Sequence, residues 1–214
     1  MKKGFLLLLF TGLYAITLHS QTLHLRVGVA PSRLNWTQNP GGFERTIYKA
    51  PVLGYALGLG IEYLDRQWFS LSSDFNFYRS GGKYTSEEEM QVRQYSEVIL
   101  DYGSFSTVIN FNPLHGATKV QLQLGPRVDF LLGGKNQESL FEINQVEGLT
   151  EINYGFNVGL GLYRSFRKTQ IGLQGTWLQR FEDLVPFTYT RTGVGNEGHE
   201  TIFLLQLSLG LHLK

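Results

Sequence analysis

From Phe203 to Leu213 every second residue is large and apolar: Phe203, Leu205, Leu207, Leu209, Leu211 and Leu213. The positions between them from Gln206 onward, Gln206, Ser208, Gly210, His212 and Lys214, are small or polar. A period of two places the two sets on opposite faces of a β-strand. The stretch 199–214 is long enough to cross a bilayer when tilted.

The same alternation predicts seven earlier strands. Residues 22–30 set Leu23, Leu25, Val27 and Val29 against His24, Arg26, Gly28 and Ala30. Residues 52–64 set Leu53, Tyr55, Leu57, Leu59, Ile61 and Tyr63 against Gly54, Ala56, Gly58, Gly60 and Glu62. Residues 68–79 oppose Phe69, Leu71, Phe75 and Phe77 to Ser70, Ser72, Asp74, Asn76 and Tyr78. Residues 95–112 begin with Val98, Leu100 and Tyr102 opposite Glu97 and Asp101. Phe105, Ile109 and Phe111 then fall on the other parity, which predicts a β-bulge near Gly103 and Ser104. Residues 118–132 oppose Val120, Leu122, Leu124, Val128 and Phe130 to Lys119, Gln121, Gln123, Gly125, Arg127 and Asp129, with Pro126 anomalous in the apolar set. Residues 151–163 alternate Ile152, Tyr154, Phe156, Val158, Leu160 and Leu162 with Asn153, Gly155, Asn157, Gly159 and Gly161. Residues 169–182 alternate Ile171, Leu173, Trp177 and Phe181 with Gln170, Gly172, Gln174, Thr176 and Arg180.

Long connections at 31–50, 80–94, 133–150 and 183–198 alternate with short ones, and both strand termini fall at the short-turn end. This predicts an all-β fold, an eight-stranded antiparallel up-and-down transmembrane β-barrel, with short periplasmic turns and long extracellular loops. The barrel is expected to span 21–214 as one domain. Residues 1–20 read as a cleavable signal peptide: Lys2 and Lys3, an apolar run from Gly4 to Leu18, and a cleavage point after Ser20, although Leu18 is not the small residue preferred there. The competing reading is an uncleaved anchor.

Periodicity does not decide which face meets what. A soluble lipocalin-like barrel turns its apolar face inward. Three features favour the membrane arrangement. The polar set is rich in glycine, useful where side chains converge in a narrow lumen. The apolar set carries large Leu and aromatic residues on every strand, which would overfill that lumen. Rings fall near strand ends (Trp36, Tyr63, Trp68, Tyr78, Tyr95, Tyr163, Trp177 and Phe181), as interfacial girdles do. Lipid offers no hydrogen-bond partner, so the last strand must pair with the first. The lumen is then expected to hold a polar network of Arg26, Glu62, Asp74, Glu97, Asp101, Lys119, Arg127, Asp129 and Arg180, because buried charges persist only when paired.

Composition narrows the chemistry. Charged residues make up 17% of the chain, below the roughly 25% of ordinary soluble domains, and there are 25 glycines. The formal charge of +1 becomes −1 once the two leader lysines are removed, so no nucleic-acid surface is implied. There is no cysteine, which excludes disulfides, thiolate catalysis and an N-terminal lipidated Cys. The histidines beyond the leader, His24, His115, His199 and His212, lack metal-ligand spacing, and the acidic run Glu87–Glu89 reads as a solvated surface. A barrel lipase or acyltransferase would need His199 beside a serine such as Ser104 or Ser106 and an acid.

Three stretches resemble the PorT-like family of bacterial outer-membrane β-barrels. Tyr95-Ser96-Glu97-Val98-Ile99-Leu100 is similar to the family's Tyr-x-Glu-Ile-Pro-Leu strand, with Ile99 where proline is common. Leu124-Gly125-Pro126-Arg127, followed by Leu131-Leu132-Gly133-Gly134-Lys135, resembles its Gly-Pro and Leu-Leu-Gly-Gly-Lys strand, which accounts for Pro126. The run from Tyr154 to Gly161 is similar too. The resemblance covers essentially the whole chain after the leader and implies an outer-membrane location. One member is tied to protein secretion, a role that architecture alone does not transfer.

The expected function is a structural or interaction barrel displaying its long loops, with no catalysis and no cofactor. The alternatives are a narrow channel for ions or small solutes, a soluble lipocalin-like binder, and a lipid-modifying enzyme. Expected partners are outer-membrane lipid, the barrel-assembly machinery during insertion, and an unidentified envelope protein; no nucleic acid is expected.

Overall fold

The computed structural model describes residues 22–39, 45–47, 50–83, 97–114, 116–136, 151–181, 185–189 and 195–213. The leader at 1–20, Glu87–Glu89, Tyr95 and His115 lie outside them. The described strands are β1 (Thr22–Asn39), β2 (Arg45–Ile47), β3 (Ala50–Tyr63), β4 (Phe69–Lys83), β5 (Glu97–Leu114), β6 (Thr118–Asn136), β7 (Ile152–Phe166), β8 (Thr169–Arg180), β9 (Val185–Tyr189) and β10 (Gly195–His212). Eight of them, all but the short β2 and β9, neighbour one another in chain order, and every pairing is antiparallel. β1 pairs with β10 from Thr22 opposite His212 to Asn39 opposite Gly195, which closes the sheet into an eight-stranded barrel. Closure leaves the long strands without a free edge. The short β2 and β9 lie along the loop-end extensions of β1 and β10.

Large apolar side chains face outward: Leu25, Leu57, Phe75, Phe105, Leu122, Leu160, Leu173 and Leu207 are exposed, one from each barrel strand. Their polar neighbours face inward and are buried, as at Arg26, Asp74, Gln123, Asn157, Gln174 and Gln206. A soluble barrel of the lipocalin kind requires the reverse.

Several details differ from the sequence expectation. The strands run further toward the loop end than predicted. β1 continues for 18 residues, through what read as a loop opening at Pro31. Pro31 has no N–H to give, and the β1–β10 register skips Ala30 and Pro31, but pairing resumes at Ser32 opposite Ile202. Parts of the other three predicted loops are likewise strand. Tyr78 and Tyr163, expected in an interfacial girdle, point into the lumen at 0% and 2% exposure. Trp68, Trp177 and Phe181 remain exposed outside.

β5 keeps a single facing from Val98 to Asn112, with no bulge at Gly103 or Ser104. The irregularity lies on its neighbour. Asp101 pairs with Gly133 and Tyr102 with Leu131, leaving Leu132 of β6 as the extra residue. Val98, Leu100 and Tyr102 therefore point inward. They join Ala30, Leu34, Leu178, Ile202 and Leu204 in an apolar cluster inside the loop-end half of the barrel.

Glycine makes room at two defined places. The Tyr163 ring lies over Gly172, its cross-strand partner, where any Cβ would collide with it. Gly81, at φ +153°, has its N–H donated to Ser32 Oγ at 2.9 Å, and a Cβ there would strike the Val98 carbonyl.

Candidate functional site

The lumen is the place where polar chemistry is concentrated. At the short-turn end Glu62 of β3 is the hub. Its carboxylate accepts from Lys119 Nζ at 2.7 Å, from Gln121 Nε2 at 3.2 Å and from the Ser70 hydroxyl. His24 Nε2 lies 3.3 Å away, while His24 Nδ1 meets Ser208 Oγ at 3.2 Å. The carboxylate's partners come from β1, β4 and β6, and His24 extends the network to Ser208 of β10, so one carboxylate ties several walls together. Lys119 also reaches Asp65 at 3.4 Å, and Thr22 Oγ1 meets His212 Nδ1 at 2.8 Å.

One step inward, Arg26 Nη1 stands 2.7 Å from Asp74 Oδ1, both fully inside. The contact is an ion pair by distance but is off the line of a hydrogen bond. Glycines 58 and 60 of β3 leave the space that the Arg26 side chain and the Asn76 and Asp74 heads occupy. Tyr163 closes this level, donating to Gln174 Oε1 at 2.8 Å and standing edge-on to His24 at 6.0 Å.

At the loop end two arginines each take an acid. Arg127 Nη1 bonds Asp129 on its own strand, and Arg180 Nη2 lies 2.8 Å from Glu200 Oε2. Tyr78 and Tyr102 stack at 5.4 Å, and the Arg180 guanidinium sits 4.7 Å over the Tyr102 ring. The apolar cluster packs around them. Between the two levels is a void of about 10 Å3, bordered by Asp74, Asn76, Ser106, Gln123, Asn157 and Gln206. That is room for roughly one water.

Of the nine charged residues expected inside, the structure places Arg26, Glu62, Asp74, Lys119, Arg127, Asp129 and Arg180 in the lumen. Glu97 and Asp101 are a correction. They face outward, where Asp101 takes a two-pronged bond from Arg79 (2.8 and 2.9 Å) and Glu97 lies 3.7 Å from Lys83. The reason is the apolar cluster: on this stretch of β5 the inward side is the apolar one.

Glu200 is the lumen acid that the sequence reading missed. Its position follows from the inward parity of Gln206, carried back through Leu204 and Ile202. His199 faces outward while Ser104 and Ser106 are buried inside, so the wall separates the residues a lipase-like triad would need. Among the described residues no three His, Asp or Glu side chains gather as a metal-ligand set.

No known family model matches the sequence, and no curated protein does. Solved structures do match. The outer membrane protein OprG from Pseudomonas aeruginosa is similar over 91% of this chain and 97% of its own, at TM-score 0.57 and 10% identity. Neisserial surface protein A is similar over 88% and 96%, at 0.46 and 9%. Ail, the attachment invasion locus protein of Yersinia pestis, is similar over 92% and 100%, at 0.45 and 15%. At these identities the likeness is one of fold, and the OprG match assigns this chain the closed barrel architecture of an outer-membrane protein.

Proposed function

We propose that this protein is a PorT-like barrel of the bacterial outer membrane that acts through the segments displayed at its loop end, as a structural or interaction protein, and neither conducts nor catalyses. The outward apolar belt and the fold shared with OprG support the location. The observation that carries the functional reading is the packing of the lumen by the described side chains. Between a polar level at the turn end and a ring, arginine and aliphatic level at the loop end lies a void of about 10 Å3, too small for a hydrated ion. Function then falls to the rim, since a rigid scaffold concentrates variable chemistry on its loops. The barrel-assembly machinery and an envelope protein docking at the loop end are the partners this reading requires.

Two measurements test it together. Detergent-extracted protein should run faster on a gel unboiled than boiled, and the folded form should be silent in a planar bilayer. Stable unitary conductance would replace this reading with the channel. Recovery of the protein in the aqueous periplasmic fraction, with no heat-dependent mobility, would remove the membrane assignment.

A further inference from the structure

The three short turns differ in charge. Between β3 and β4, Asp65 adjoins Arg66 and meets Lys119. Between β5 and β6 the turn shows Pro113, Leu114, Gly116 and Ala117. The β7–β8 hairpin instead carries Arg164, Arg167 and Lys168, and none of these has an acidic partner among the described residues. At the opposite end Arg79 pairs with Asp101 and Lys83 with Glu97, and among the described residues Arg33 stands as a single exposed cation rather than one of a cluster.

The unpaired cations also stand at a particular height. Arg164 and Phe166 share the outward face of β7 with Leu160 and Leu162, and Arg164 is the cross-strand neighbour of outward-facing Ile171. The Arg164 guanidinium lies 5.8 Å over the Phe166 ring. Cation and ring thus mark the border of the apolar belt, the level of lipid headgroups.

The backbone gives a second, independent observation. Arg167 has φ 41°, in the left-handed region, within a two-residue hairpin turn that glycine or asparagine would occupy more easily. Leu64 in the β3–β4 turn has φ 53° as well, so the tight turn sets the conformation, and in the β7–β8 hairpin the residue that bears it is a cation held at the tip. The turn is also fixed in place: Ser165 N–H donates to the Ala117 carbonyl at 3.0 Å, and His212 N–H to the Lys168 carbonyl at 2.9 Å.

We infer that Arg164, Arg167 and Lys168, with Phe166 beside them, seat the phosphate of an anionic phospholipid in the leaflet at the short-turn end. The inference rests on the membrane reading above. A phosphatidylglycerol-type headgroup fits best, because a zwitterionic lipid brings its own ammonium to the phosphate and gains less from three cations.

The test uses the full chain, purified in micelles containing equal phosphatidylglycerol and phosphatidylcholine, with bound lipid counted by native mass spectrometry. The wild type should retain phosphatidylglycerol over phosphatidylcholine by roughly tenfold. Arg164→Gln, Arg167→Asn and Lys168→Gln together should abolish the preference, with asparagine chosen because it tolerates the turn. Arg33→Gln, an exposed cation at the loop end, should leave the preference intact. Should the triple variant fail to fold, Arg164→Gln alone should lower the preference several-fold, and Arg164→Lys should restore it.

Equal retention of both lipids, or a preference indifferent to these substitutions, overturns the inference. So does substitution-sensitive binding to isolated peptidoglycan without lipid selectivity. A wild type lacking heat-dependent mobility overturns the membrane reading as well. A normal heat shift without selectivity overturns this inference alone.

Discussion

At the short-turn end of the lumen one carboxylate, Glu62, gathers Lys119, Gln121, Ser70 and His24; at the loop end Arg127 and Arg180 each hold their own acid and lie among rings and aliphatic side chains. The first region is a shared polar hub, the second resembles the core of a soluble protein with two ion pairs set into it. The contrast shows what the membrane does and does not impose. Lipid dictates the outer face, which must be apolar wherever it meets acyl chains. The inner face meets only other side chains, so it is free to be polar in one half and apolar in the other, provided each half is filled and its charges are paired.

The hub should be the most fragile element. Removing Glu62 takes the acceptor from an ammonium, an imidazole, an amide and a hydroxyl at once, leaving Lys119 only the longer contact to Asp65 and His24 only Ser208. Glu62→Ala is expected to cost about 3–5 kcal/mol, the range for breaking a buried pair from one side. It should appear as a lower midpoint for loss of heat-dependent mobility and a lower urea midpoint in detergent. A midpoint close to wild type would mean that the hub contributes no more than a surface contact.

The apolar half should answer to side-chain volume instead. Leu100 is 1% exposed and faces inward, whereas Leu207 is 60% exposed and faces outward. Leu100→Ala should cost about 2–4 kcal/mol through the cavity it leaves. Leu207→Ala should cost about 1–2 kcal/mol in vesicles, the lost transfer of its methylene groups without a cavity term, since acyl chains fill the space a shortened side chain vacates. Equal costs at the two sites would erase the distinction between a packed lumen and a lipid-facing wall.

The division between what could and could not be read in the sequence follows the same line. The outer face was legible because one solvent, lipid, selects Leu205, Leu207 and Leu209 by a single rule. Arg26, Asp74 and Arg180 were legible because a charge on the polar parity of a membrane strand has nowhere to go but inward. Val98, Leu100, Glu97 and Asp101 were not, because where β5 leaves the belt the solvent outside changes from lipid to water. The rule then inverts while the period stays the same. No residue marks that crossing. Glu200 was missed for a related reason: on β10 the inward set turns from Gln206 and Ser208 to Leu204 and Ile202, and polarity stops being the guide to facing. The partners of Glu62 were also beyond reach. Lys119 lies 57 positions away along the chain, and the two meet only once the stagger of the closed barrel is known.

The smallest expected effect is the one that separates the halves most sharply. Arg180 and Glu200 face each other at 2.8 Å, with the Tyr102 ring 4.7 Å from the guanidinium and Tyr102 Oη 3.4 Å from Glu200. Replacing either alone leaves a buried charge without its opposite. Replacing both, as Arg180→Met with Glu200→Leu, removes two desolvated ions and adds apolar volume to a cluster that already holds Leu178, Ile202 and Leu204. Paired charges exchanged in this way for apolar groups of similar size are often neutral or stabilising. The double variant should therefore unfold within about 1 kcal/mol of wild type. The analogous double change at the turn end, Lys119→Met with Glu62→Leu, should remain clearly destabilised, because His24, Gln121 and Ser70 still lose their acceptor. Denaturant midpoints of the four single and two double variants decide the matter: the two halves differ in kind only if one double recovers stability and the other does not.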